Sequence, residues 1–156
     1  MTRFFHLVWG GLALAAGATL GAIAGFFNPG AWYGHIIKPD WAAAPEVFGP
    51  AAVLACVWLA LASTVGAGGE RVSRRVARGG LAAAAGVAYA AWGLLFFGLR
   101  EPATALPAAA LASLFGIALV ASQAVRSPIR ATLIAIPIAW FVYVAGLTMQ
   151  IWRLNA

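Results

Sequence analysis

The chain has 156 residues, 63% of them hydrophobic and only 9% charged, with a mean hydropathy of +0.91. Soluble domains carry about a quarter charged residues, so this composition excludes an ordinary water-soluble enzyme or binding module. Ten Lys/Arg against four Asp/Glu give a net charge of +6; the basic residues lie almost wholly between apolar runs, which points to topology and anionic lipid and away from nucleic acid.

Apolar runs of about 20 residues recur, the length a helix needs to cross a bilayer. They are continuous and Ala/Leu-rich, without the alternation of a membrane β-barrel. The expected fold is an all-α membrane protein, a five-transmembrane-helix bundle in one domain. Its spans are predicted over 4–27, 46–68, 79–99, 103–125 and 130–152. The first run follows Arg3 and is too long for the apolar region of a signal peptide, so it reads as a retained span. Within it Gly17, Gly21 and Gly25 form a four-residue row on one face. Such a row permits close helix approach inside the bundle or leaves room for a flat ligand.

The connector from Asn28 to Pro45 is the one long connector, and its centre, Trp32-Tyr33-Gly34-His35-Ile36-Ile37-Lys38-Pro39-Asp40-Trp41, crowds aromatics, a cation, an acid and a proline together. It reads as a lid over something held among the helices. Span two carries the single cysteine, Cys56, which excludes an internal disulfide and a cysteine metal cluster. Arg71, Arg74, Arg75 and Arg78 fill the second connector, where they set topology or meet anionic lipid or a partner. Span three has a small-residue face, Ala82, Gly86 and Ala90, suited to a homodimer or to internal packing. Pro107 and Pro137 remove backbone donors inside spans four and five.

Seven basic residues (Arg3, Arg71, Arg74, Arg75, Arg78, Arg126, Arg130) fall on the amino-terminal side, against Lys38, Arg100 and Arg153 on the other. That asymmetry predicts a cytoplasmic amino terminus and an outward-facing first connector. The span interiors lack the ionisable group expected of a proton-driven carrier. HExxH, GxSxG and P-loop patterns are absent, so neither catalytic residues nor a metal site is assigned. His6 and His35 read as interfacial. Trp32, Trp41 and Trp152 suit the interfacial belt, whereas Trp92 and Trp140 lie deeper and offer flat faces to a large apolar ligand.

Taken together, these residues resemble the TspO/MBR family of tryptophan-rich sensory or translocator proteins. Trp32-Tyr33 followed by Lys38-Pro39-x-Trp41 is similar to its WYxxLxKPxW signature, and Val47-Phe48-Gly49-Pro50 to the opening of its second span. Trp92 with Phe96-Phe97-Gly98-x-Arg100, Pro137 with Ala139-Trp140, and Trp152-Arg153-x-Asn155 match its later motifs in order. The resemblance implies a five-helix bundle, often a homodimer, with a pocket under the first connector. It implies porphyrins such as protoporphyrin IX or haem as ligands, with no cofactor required, and a receptor or sensor role in tetrapyrrole handling. The implied pocket wall is Gly21, Phe48, Gly49, Ala52, Trp92, Leu111, Trp140, Val144 and Leu147, and the lid Trp32, Lys38, Pro39 and Trp41. Lys38 would meet a propionate or else snorkel at the interface.

The chain departs from the pattern at Ala43-Ala44, Glu46, Ala52, Cys56, Tyr89, Ala90 and Gly93. Met149 replaces the Tyr of the sterol-recognition pattern. Light-dependent porphyrin breakdown is linked in the family to two pocket tryptophans. Only Trp140 remains here, opposite Ala52, so binding is expected with weak or absent photodegradation. The alternatives are a porphyrin-degrading enzyme and a membrane scaffold without a small ligand.

Overall fold

The five long apolar runs become helices because backbone N–H and C=O groups find no partner in hydrocarbon except one another. A computed structural model of the chain describes residues 2–26, 29–65 and 70–156, with side chains from Trp9 onward. The side chains of Arg3 and His6, residues Phe27 and Asn28, and the expected end of the second span at 66–68 lie outside the described residues. Helix α1 covers Thr2–Phe26, α2 Gly30–His35, α3 Pro45–Thr64, α4 Val72–Gly93, α5 Pro102–Ala124 and α6 Pro128–Asn155. All but the short α2 are long and apolar enough to cross a membrane. The described residues contain no strand, and the fold is a five-helix membrane bundle.

Helix α4 begins seven residues before the predicted span, so Val72 to Arg78 is helical, not connector. Arginine is a good helix former, and its long stem can run along apolar surface toward the membrane edge. Composition marks the arginines as a boundary; the backbone does not stop for them.

The helices form a ring in the order α1, α3, α6, α5, α4, with α4 returning to α1. The glycine row of α1 is spent on α3. A Cβ on Gly17 would lie 2.6 Å from the Cys56 carbonyl oxygen, and one on Gly21 2.6 Å from Val53 Cα; Gly25 faces the backbone of Gly49. The small face of α4 is used against α1 in the same way, Gly86 beneath Leu20 and Gly93 beneath Ala24.

Pro137 lies inside α6 and has no N–H to offer the carbonyl of Leu133, four residues earlier. The indole of Trp58, on α3, donates to that oxygen at 2.8 Å. A half-exposed tryptophan that could pass for interfacial belt therefore satisfies an acceptor the proline leaves open. At the far end of α4, Leu94–Gly98 forms a π-helical turn, with the Leu99 N–H donating to the Leu94 carbonyl at 2.9 Å. The widened turn lets the adjacent Phe96 and Phe97 both point inward. Arg100 then takes a left-handed backbone (φ 61°) that reverses the chain into α5.

Two substitutions test this packing. Gly21→Ala forces its methyl into backbone and is expected to lower stability in detergent by about 1–3 kcal/mol, whereas Gly11→Ala, which meets nothing within 4 Å, is not. Trp58→Phe is expected to cost about 1–3 kcal/mol despite its exposure, because the Leu133 carbonyl loses its donor. Equilibrium unfolding of the detergent-solubilised protein reads both.

Candidate ligand-binding site beneath the first connector

The connector is fastened to the bundle by side chains from within itself and from α6. Lys38 closes the carboxyl end of α2, its Nζ donating to the carbonyls of Tyr33 (2.6 Å) and Ile36 (3.1 Å), and it sits 5.0 Å from the Tyr33 ring centroid. The Pro39 carbonyl accepts from Ala42 N–H at 3.0 Å and turns the chain back toward the helices. Tyr143 accepts from the Ala43 N–H (2.7 Å) and donates to the Trp41 carbonyl (3.3 Å). Asn155 brackets Ile37, accepting from its N–H at 3.0 Å and donating to its carbonyl at 2.8 Å. Tyr33 is buried and donates to the Ala43 carbonyl. Burial pushes its hydroxyl up to about 12, and the neighbouring Tyr143 adds to the shift.

Beneath this strap lies a cluster of aromatic rings drawn from α3, α4 and α6. Phe48 is its hub, with ring centroids 5.4 Å from Tyr33, 5.1 Å from Phe97, 6.0 Å from Trp140 and 6.5 Å from Trp92. Trp92 is fully buried and stacks between Tyr89 and Phe96. Its indole N–H donates to Thr148 Oγ1 at 2.9 Å, and Thr148 passes a hydrogen bond to the Val144 carbonyl. Trp140 is half-buried, donates to the Tyr89 hydroxyl at 2.7 Å and stacks on Tyr143. In hydrocarbon each of these N–H groups would otherwise be left unsatisfied.

The structure thus draws Phe48, Trp92 and Trp140 together. Trp32 joins through Phe96 at 5.6 Å and Trp41 through Tyr143 at 5.7 Å. Ala52, Val144 and Leu147 are buried in the same core. Gly21 and Gly49 belong to the α1–α3 seam, and Leu111, 47% exposed, lies on the outer side of α5. The rings under the strap contact one another directly. A cavity of about 900 Å³ lies instead at the opposite end of the bundle, between α1, α3 and α4.

Tyr89, Tyr143, Thr148 and Asn155 were not expected as site residues, yet they hold the indoles and the strap in place. The signal for the first three was a hydroxyl inside an apolar span, which must find a partner there.

A protein-family model described as the TspO/MBR family matches residues 10–153 of the chain. The chain belongs to the TspO/MBR family. No curated protein matches it. Family membership and the five apolar helices make this an integral, multi-pass membrane protein, and membership supports a membrane sensor or receptor role in general. The family's ordered motifs coincide with the parts just described: the Trp-Tyr and Lys-Pro-x-Trp strap, the Phe48 hub, the π-turn and the Asn155 clamp.

Thr148→Val keeps the shape of the side chain but leaves the buried Trp92 N–H without an acceptor. It should cost about 1–3 kcal/mol in an unfolding titration. Asn155→Ala should leave global stability little changed and speed amide exchange at Ile37 and its neighbours, measured by hydrogen–deuterium exchange.

Proposed function

We propose that this TspO/MBR protein is a membrane receptor for porphyrins, such as protoporphyrin IX or haem, taken between the first connector and the aromatic cluster. The observation that carries the reading is the convergence of Phe48, Trp92 and Trp140 from three helices directly under one strap. Flat rings of this kind stack favourably on a planar macrocycle. The strap is held mainly by hydrogen bonds near the surface, from Tyr143, Asn155 and Lys38, and a macrocycle enters when they open. Lys38, released from the end of α2, would then face a propionate as a charge-assisted donor.

Porphyrin is a ligand in this proposal and no other cofactor is invoked. Homodimerisation belongs to the same proposal. The row containing Gly86 and Gly93 is occupied by α1, so contact between copies falls to another face. Positive residues concentrated at the amino-terminal side support an orientation with that side in the cytoplasm.

Protoporphyrin titrated into the detergent-solubilised protein should quench tryptophan fluorescence saturably. Trp140→Phe should weaken the apparent affinity by up to about tenfold, since a well-placed aromatic contact is worth about 0.5–1.5 kcal/mol. Unchanged quenching in Trp140→Phe and Trp92→Phe together would count against the site. Under illumination the bound porphyrin should persist, as followed by its absorbance.

A further inference from the structure

The end of the bundle away from the strap holds a different chemistry. Glu70 forms an ion pair with Arg78 and lies 3.8 Å from Arg130, whose guanidinium also donates to Gln123 at 2.8 Å. Arg78 is 3% exposed, and its Nε has no hydrogen-bond partner among the described residues. Glu70 is the one acidic residue at this end of the chain's path, because Asp40, Glu46 and Glu101 all flank the opposite end. Against it stand Arg71, Arg74, Arg75, Arg78, Arg126 and Arg130. Arg71, Arg74 and Arg126 are exposed, whereas Arg78 and Arg130 are buried and share Glu70, which leaves a local excess of positive charge that an anion would balance.

The cavity of about 900 Å³ begins at this cluster, with Arg75 and Arg78 in its wall, and runs between α1 and α4 to Leu20 and Gly86. Its deeper wall is apolar or small: Leu12, Ala16, Leu20 and Gly86. Trp9, Leu12 and Val76 line it and are also exposed on the bundle surface, so the cavity opens sideways toward lipid. One end is cationic, the other is hydrocarbon-like, and the entrance faces the bilayer.

We infer that this cavity binds an acidic phospholipid of the adjoining leaflet, its phosphate held by Arg78 and Arg75 and an acyl chain lying along Ala16, Leu20 and Gly86. The phosphate supplies the acceptors that the Arg78 Nε–H lacks, and the chain fills the apolar end. A zwitterionic lipid would bring its own cation toward the arginines, and a small inorganic anion would leave the apolar end empty. The site is separate from the aromatic cluster and stands whether or not porphyrin binds there.

Native mass spectrometry of the protein in a non-ionic detergent tests it, with phosphatidylglycerol, phosphatidylcholine and palmitate added at equal concentrations. Phosphatidylglycerol should be retained at least tenfold more tightly than either of the others. Arg78→Gln should abolish most of that preference. Because it also strips Glu70 of its partner, Ala16→Phe provides a second variant that blocks the apolar end and leaves every arginine in place; it too should lose retention about tenfold. Equal retention of phosphatidylglycerol and phosphatidylcholine, preference for palmitate, or undiminished phosphatidylglycerol binding in Ala16→Phe would overturn the assignment.

Discussion

Backbone contact between α1 and α3 is the constraint on which the other arrangements rest. Apolar side chains gain nothing by leaving lipid tails for one another, so helices in a bilayer associate where small residues let their main chains touch. Helix α1 buries few side chains and holds to the bundle through Gly17, Gly21 and Gly25 on one side and through Leu20 and Ala24 on the other. The Gly25–Gly49 contact lies next to Phe48, the hub of the aromatic cluster. The position of that ring therefore depends on glycine contacts running down the α1–α3 seam.

Once the helices are set, the polar groups inside them are paired off individually. Trp58 covers the carbonyl left open by Pro137, Thr148 receives Trp92, and Tyr89 receives Trp140. Each bond joins two different helices, so each also fixes the rotation of one helix about its axis relative to another. The two ends of the bundle differ in kind. One is aromatic and strapped by hydrogen bonds from Tyr143, Asn155 and the Lys38 ammonium; the other is cationic and arranged around a single carboxylate.

The five helices were legible because continuous apolar runs of bilayer length admit little else. The glycine row announced a close approach, but its partner depended on the ring order, which no local pattern carries. The helix of the third span starts ahead of its apolar run, because arginine marks a membrane edge in composition without interrupting a helix. Phe48, Trp92 and Trp140 could be grouped through the family's ordered motifs, and the coordinates place them in contact. Leu111 and Gly21, implied as pocket wall by the resemblance and lying in none of those motifs, sit elsewhere, on the exposed side of α5 and in the α1–α3 seam. The pairs Tyr89–Trp140 and Trp92–Thr148 are separated by 51 and 56 residues, so neither partner could be read from the other. The π-turn was equally hidden, since it depends on where two adjacent phenylalanines must point.

The bracket that Asn155 places on Ile37 spans 118 residues and joins the connector after the first membrane helix to the end of the last. A chain inserted helix by helix from its amino terminus makes that connector early, yet cannot latch it until α6 has entered the bilayer. The Asn155 latch on the strap therefore cannot close before the last of the five spans is in place, whereas the bonds of Lys38 and Tyr33 within the connector need no other helix.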